Sequence, residues 1–376
     1  MTMNLKIFFL LLPLYCCSQV YKDTLYGNPK YIHEYVVFLT EKQNPQFLYN
    51  SDYGHEGFLG NDFTKKKFKN VWFNNEWVYY INYEKFITYN KGKKTIKENW
   101  LLKDNSFLSG FSEKYDKRNR LIEKVLDSNN VHHFRKFEIS YQLFNPKRIE
   151  KMILPLSKNE IRNEYYFNKH KKNKVSRFLN NKKGLDSIFI YDDKKKLIET
   201  SVLHKSKWKL TKENHLCFCP DSLGVKEVVY KFFYDSQDNL IAKENYKLDE
   251  NNHNYIVSKE EMEYDENNLL ILRKLYSRER KSNSNEFSLI NHSQEIFEYQ
   301  DNKLYKKSYY YKSKLQSWTE YSYEGDNIVT VKYFENNNLS LITFKYKFDH
   351  YQNWVEIVKN VNNKDLYIWK RDIEYY

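Results

Sequence analysis

Four places along the chain gather side chains that could do chemistry. Tyr53-Gly54-His55-Glu56-Gly57-Phe58-Leu59-Gly60 sets a His-Glu pair among three of the nine glycines. That composition suits a ligand loop or metal site, and it equally suits a tight surface connection, since Gly serves awkward backbone angles. His215-Leu216-Cys217-Phe218-Cys219-Pro220 offers three metal-ligating side chains. A structural zinc site takes four, so no metal is expected there. Cys217 and Cys219 read as a short-range disulfide or as two idle thiols in a surface loop, their spacing lying near the upper limit for a disulfide. His33-Glu34 lacks the second His of a zincin helix and sits in a strand-like run. His132-His133 falls in an expected hairpin loop with no identifiable partner ligand.

Carboxylates recur rather than pair. Asp116, Asp192, Asp235, Asp265 and Asp349 appear once per copy of a repeated unit. A catalytic acid is singular, whereas recurrence marks a structural turn residue. The sequence has no glycine-rich phosphate loop and no Gly-x-Ser-x-Gly elbow. No catalytic set and no cofactor are therefore expected. The side chains best suited to binding are Trp208, Trp318 and Trp354, whose rings could stack on a sugar; core packing is the competing role, above all for Trp354.

The elements that must position these residues come from internal repetition. Tyr115-Asp116-Lys117-Arg118-Asn119-Arg120-Leu121-Ile122 returns as Tyr191-Asp192 through Leu197-Ile198 and as Tyr234-Asp235 through Asn239-Leu240-Ile241. Looser copies begin at Tyr264, Tyr299, Tyr323 and Phe348, and more degenerate ones at Tyr89, Tyr141 and Tyr166. Successive starts are 26, 26, 25, 25, 43, 30, 35, 24 and 25 residues apart. The basal period is thus about 25 residues, with three insertions, at 191–234, 234–264 and 264–299. An apolar residue two positions before most starts (Ile139, Phe232, Met262, Phe297) with a polar one between gives the period-two pattern of a half-buried strand. The Asp opens a turn by accepting from its own downstream backbone. Asn119, Asn239, Asn268, Asn327 and Asn353 suit left-handed turn positions. Leu-Ile or Trp-Val then restarts the strand.

Ten such hairpins predict an all-β antiparallel meander over 86–376. About twenty strands at ~4.8 Å spacing exceed what an open twisted sheet carries without curling, so a strongly curled sheet is expected. Residues 19–85 fit the repeat poorly. Tyr35–Phe38, Val71–Phe73 and Trp77–Ile81 read as strands of a β capping region, and no helix longer than two turns is expected.

The first residues read as an export signal spanning 1–18. Lys6 is followed by an apolar run from Ile7 to Tyr15, then by Cys16, Cys17 and Ser18. Cleavage after Ser18 is the favoured reading. The alternative is a lipoprotein signal with Cys17 as the lipidated residue. The apolar run is too short to span a bilayer, so the mature chain is expected without a transmembrane segment, in the periplasm, at the cell surface or secreted. A net charge of +13 would suggest nucleic acid inside a cell. Outside the cytoplasm the anions are acidic glycans, lipopolysaccharide and stray DNA, and no specific nucleic-acid partner is expected. The runs Lys65-Lys66-Lys67 and Lys194-Lys195-Lys196 read as solvated turns. Lys370, Asp372 and Glu374 on one face of the last strand, with Arg371 on the other, argue against a lipid-facing barrel, a mid-bilayer charge costing about 2–4 kcal/mol.

The Tyr-Asp-x3–4-Asn-Leu-Ile units resemble the YD repeats of Rhs and teneurin-like proteins, and more closely the short secreted YD-type proteins common in Bacteroidetes. The stretch from Lys347 to Trp354 and on to Tyr376 is similar to the way many of those chains end. Trp318 and Trp208 match the Trp that often precedes such units. The chain departs from the pattern where Arg118, Asp238, Asn267 and Gln352 replace the usual glycine, and no self-cleaving protease signature or toxin domain follows. The resemblance implies a β-sheet shell or platform at the envelope. Two functions are compatible with it: a non-enzymatic scaffold or binding protein for a glycan or an envelope protein, and a hydrolase whose site is assembled from the 43-residue insertion and the 53–60 loop.

Overall fold

The computed structural model describes residues 25–40, 60–128, 135–142, 147–153, 160–167, 172–179, 186–192, 194, 196–210, 216–280 and 287–376. Their first strand is β1 (Pro29–Phe38), followed by the single helix among the described residues, α1 (Gly60–Asn74). Short strands follow: β2 (Asn82–Asn90), β3 (Lys93–Leu101), β4 (Phe107–Tyr115), β5 (Leu121–Ser128), β6 (Arg135–Gln142), β7 (Lys147–Ile153), β8 (Glu160–Phe167), β9 (Lys172–Leu179) and β10 (Asp186–Tyr191). Longer ones come next: β11 (Leu197–Leu210), β12 (Leu216–Tyr234), β13 (Leu240–Leu248), β14 (Asn254–Tyr264), β15 (Leu270–Arg280) and β16 (Phe287–Gln300). The last are β17 (Lys303–Tyr311), β18 (Lys314–Glu324), β19 (Asn327–Glu335), β20 (Asn338–Phe348), β21 (Trp354–Val361) and β22 (Lys364–Tyr375).

All twenty-two strands belong to one antiparallel sheet. From β2 to β22 each strand pairs with the next in sequence, the meander expected of tandem hairpins. β1 lies between the two ends of that run. It pairs with β2 from Tyr31↔Phe86 to Tyr35↔Asn82 and with β22 from Pro29↔Tyr375 to Phe38↔Tyr367. The pairing order followed strand by strand therefore returns to β1.

The ten repeat starts map onto this sheet without slippage. Each is the last or next-to-last residue of an even-numbered strand from β2 to β20. All ten units therefore turn at the same end of the sheet, the Asp end. Asp116 shows the chemistry of the turn: its Oδ1 accepts from the amides of Arg118 (2.9 Å) and Arg120 (3.0 Å). Asp235, Asp265 and Asp349 repeat that geometry, and Asp192 accepts from Lys196. The left-handed residue stands three after the Asp: Asn119, Asp238, Asn268 and Gln352, with φ of 56°, 78°, 61° and 65°. This corrects part of the Asn expectation. Asn239 and Asn353 sit one position later and instead donate from Nδ2 back to the Asp carboxylate. At the shorter turns, pairs such as Asn336–Asn337 and Asn362–Asn363 both take positive φ, the twist-matched form for a two-residue hairpin.

The motif tyrosine has a task that Phe could not perform. In five units its hydroxyl donates to the carbonyl of the residue at the restart of the strand in the preceding unit: Tyr141 to Leu121, Tyr234 to Leu197, Tyr264 to Leu240, Tyr299 to Leu270 and Tyr323 to Leu304, at 2.9–3.1 Å, whereas Tyr115 donates to Glu113. At the Asp end no covalent turn joins these neighbouring strands, so the phenol stitches unit to unit. In the last unit Phe348 occupies the motif position, and Tyr346, two residues earlier, makes the bond to Ile328.

The insertions lengthen strands. The 191–234 step is a long hairpin of β11 (14 residues) and β12 (19 residues). Cys217 and Cys219 stand in β12, opposite Lys209 and Lys207 of β11. They are therefore strand residues, not loop residues, because the inserted sequence continues the ladder.

One face of the sheet carries the core. Tyr321, Val331, Ile342 and Val361 stand opposite one another across β18–β21 and are buried. Against them packs α1, through Phe68, Trp72 and Phe73. This helix corrects the reading of Val71-Trp72-Phe73 as a strand. Thr64, Phe68 and Trp72 recur every four residues on one buried face, as helical spacing requires. The Lys65-Lys66-Lys67 run lies on α1 rather than in a turn, and Lys65 reaches the buried Glu98 at 2.6 Å. Residues 77–81 form no strand beyond a single bridge at Tyr80; Val78 and Ile81 are buried there as part of the core. Further along the same face, Glu260, Arg273, Glu295 and Lys307 form a row of alternating charge, linked at 2.6, 3.2 and 2.6 Å.

Candidate binding face

The opposite face of β17–β20 bears the most exposed of the aromatic candidates whose side chains are described. Alternation along β18 buries Thr319 and Tyr321 on the core side and turns Trp318 and Glu320 to the other. Trp318 stands opposite Phe334 on β19, which stands opposite Leu339 on β20. The Trp318 and Phe334 rings stack at 5.7 Å with an interplanar angle of 11°. Lys306 on β17 lies 5.2 Å from the Trp318 centroid and 3.1 Å from Glu320. Leu315, Leu339 and Leu341 extend the strip and are each more than two-fifths exposed. The strip is a flat aromatic pair edged by a cation and a carboxylate. It offers an apolar platform with hydrogen-bonding groups at its margin.

The other sequence candidates lie elsewhere. Trp354 is only 4% exposed. Its ring packs 4.4 Å from Trp369 and 3.6 Å beneath the Arg371 guanidinium, which is itself bound to Glu34 at 2.9 Å. Trp354 is a core residue and presents no ring for stacking. His33 and Glu34 point to opposite faces of β1: His33 bonds Asn82 at 2.9 Å, while Glu34 is buried with Arg371 and Trp369. They cannot act as one acid–base pair. For Trp208, Cys217 and Cys219 the backbone alone is described. It sets Trp208 opposite Phe218. Cys17, the 53–59 segment, His132 and His133 lie outside the described residues. Among the described residues no three His, Cys, Asp or Glu side chains converge as metal ligands, and no helix is long and apolar enough to cross a membrane.

Sequence reasoning missed two features. Phe334 completes the Trp318 platform, and its signal was available in the hairpin register once β18 and β19 are paired. The second is an open cavity of about 390 Å³ lined by Phe233, Ala242, Glu244, Lys259, Glu261 and Glu263. Ala242 in its lining is the chain's one alanine. The carboxylates there are already engaged: Tyr246 donates to Glu244, and Tyr276 and Lys259 bind Glu261 at 2.7 Å each.

No family model matches the chain, and no curated protein matches it. Among solved structures it is similar to a porin-like protein from Bacteroides uniformis, at 9% identity, covering 78% of this chain and 96% of that one, with a TM-score of 0.23. It is also similar to TcdB2-TccC3 without its hypervariable C-terminal region, at 8% identity, covering 76% of this chain and 23% of that one, with a TM-score of 0.16. Superpositions this loose carry no argument about shape or activity.

Proposed function

We propose that the chain is an exported, non-enzymatic β-repeat scaffold of the cell envelope that holds a glycan on the outer face of β17–β20. The observation that carries this reading is the stacked Trp318–Phe334 pair, half-buried on the face away from the core, flanked by the exposed Leu339 and edged by Lys306 and Glu320. A sugar ring has an apolar face that stacks on such a platform and hydroxyls that bond to its charged margin. The Asp carboxylates recur as turn acceptors, which leaves them no catalytic part. Residues 1–18 serve as the export signal in this reading, with cleavage after Ser18 favoured over lipidation at Cys17, and the likeness of the Tyr-Asp units to those of YD-type envelope proteins supports it.

The same reading takes the sheet to be strongly curled, with α1 on its concave side. Two observations support it: β1 has partners on both sides, β2 and β22, and twenty-two strands would be about 105 Å wide if flat, well past the limit for an open twisted sheet.

The test is a binding screen of the mature chain against glycans and envelope components, run beside Trp318→Ala. A tryptophan at the centre of a binding surface is worth about 2 kcal/mol or more, or about thirtyfold in Kd. Loss of that order for a polysaccharide, with the melting temperature retained, is the expected result. Equal binding by both proteins, or capture of an envelope protein instead of a glycan, would overturn the assignment.

A further inference from the structure

The Trp318–Phe334 pair is the middle of a longer row. Residues directly opposite one another in an antiparallel pair share a face. On the face away from α1 the register joins Leu272, Ile296, Ser308, Trp318, Phe334 and Leu339, one on each strand from β15 to β20. Ser308 is buried, Leu339 is exposed, and Leu272, Ile296, Trp318 and Phe334 are half-buried. The row crosses the strands at right angles and is about 24 Å long at the ~4.8 Å strand spacing. Because the strands are staggered, it starts at the Asp end, where Leu272 lies near the beginning of β15. It finishes at the opposite end, where Leu339 follows the β19–β20 turn.

Two polar rows flank it. On one side the register joins Glu298, Lys306, Glu320, Lys332 and Leu341. On the other it joins Lys274, Gln294, Tyr310 and Leu315. The charges are mixed and paired: Glu320 binds Lys306 at 3.1 Å and Lys332 at 3.5 Å, and Lys274 reaches Glu263 at 3.0 Å. Glu263 stands opposite Leu272, just past the end of the row. A polyanion laid here would meet Glu263, Glu298 and Glu320, and a polycation would meet Lys274, Lys306 and Lys332. An extended peptide adds to a free sheet edge, whereas each strand from β15 to β20 has a neighbour on both sides. An apolar row between polar rows of balanced charge suits an uncharged chain with an apolar face on each unit and hydroxyls along its margins.

We propose that the glycan of this face is an uncharged linear polysaccharide lying across the strands from Leu272 to Leu339. The inference rests on the glycan reading above and adds the direction, length and charge of the ligand. Each sugar lays its apolar face on the row, and its hydroxyls reach the groups on either side. Sugars at the centre meet Trp318 and Phe334, those toward the Asp end meet Ile296 and Leu272, and those toward the other end meet Leu339. Gln294 and Tyr310 supply neutral hydrogen-bonding groups on one margin, and the Lys306–Glu320 pair supplies charged ones on the other. A chain too short to pass the central pair leaves the ends of the row uncovered, so length sets affinity.

The experiment is calorimetric titration of the full exported chain with cello-, malto- and manno-oligosaccharides from disaccharide to octasaccharide, and with polygalacturonate as the acidic probe. Trp318→Ala, Leu272→Ser and Leu339→Ser are run beside the parent. For at least one neutral series, Kd should fall at least tenfold from disaccharide to hexasaccharide and then level off, since each added sugar buries more of the row until it is covered. Leu272→Ser and Leu339→Ser should weaken the hexasaccharide several-fold and leave the disaccharide unchanged, with melting temperatures retained. Leu339 is exposed, so its variant reads the row independently of folding. Polygalacturonate should not displace the bound hexasaccharide. A disaccharide that binds as tightly as the hexasaccharide, and needs Trp318 but neither leucine, would leave the glycan reading standing and overturn this inference. Displacement by polygalacturonate, or binding of that polymer alone, would do the same. Binding of none of these glycans overturns both.

Discussion

At the level of single residues, the Tyr-Asp pair divides the labour of building the sheet. The Asp closes the turn within a unit, and the Tyr hydroxyl ties that unit to the one before. Burial pushes the Tyr323 hydroxyl up to about 12, so it remains a donor at any ordinary pH. Tyr264→Phe keeps the ring and removes the hydroxyl with its bond to Leu240, which should cost about 1 kcal/mol in urea unfolding. Tyr305→Phe, at an exposed position, should lie within about 0.5 kcal/mol of the parent. The turns add a pH dependence. The Arg120 amide, then its guanidinium, hold the Asp116 carboxyl below its usual range. Burial alone would raise Asp349, but Tyr375 and the Asn353 amide bring it below as well. A carboxyl with a depressed folded pKa stabilises the fold above its unfolded value near 3.9 and loses that contribution as pH falls through the lower folded value. Melting temperature should therefore drop below about pH 4, and Asp116→Ala/Asp349→Ala should flatten that acid limb. The turn role of Asp was legible because it recurs. The positive-φ position was legible only where Asn fills it, as at Asn119 and Asn268; Asp238 and Gln352 give no such signal, since the Asp turn imposes the angle on whatever residue stands there.

At the level of elements, strands were legible and the helix was not. Alternation around each start marks a half-buried strand whatever its neighbours. α1 is short of the usual signals: its Lys run resembled a turn and its Val-Trp-Phe run a strand. The four-residue spacing of Thr64, Phe68 and Trp72 was the available clue, and tertiary packing supplies the remainder. The end of α1 is held by side chains from three repeat strands. Tyr321 donates to Asn74, and Ser340 to Glu76 at 2.7 Å. The buried Lys359 donates to the carbonyls of Trp72 (2.8 Å), Asn75 and Trp77 (3.4 Å). A cation at the C-terminal end of a helix also meets the negative end of its dipole. Lys359→Met fills the same space but leaves those carbonyls unpaired, and should destabilise by about 2–3 kcal/mol. Near-UV circular dichroism should lose the Trp72 contribution before the far-UV strand signal changes. Simultaneous loss of both would mean that α1 and the sheet unfold as one body.

At the level of the whole molecule, the repeat period was enough to predict a meander, but not the place of the N-terminal segment. Nothing in Tyr31–Val37 says that it will lie beside the last strand. That pairing joins residues more than three hundred positions apart and depends on both ends of the meander being present at once. The core beneath α1 leaves the Trp318 strip on the outside. The claim that β1 joins β2 to β22 is open to a direct measurement, amide hydrogen exchange resolved along residues 31–37. Successive amides of a strand point to opposite neighbours. A strand with two partners should protect every amide in this run to nearly the global stability of the sheet. Fast exchange at every second amide would mean that one partner is missing and would contradict the account.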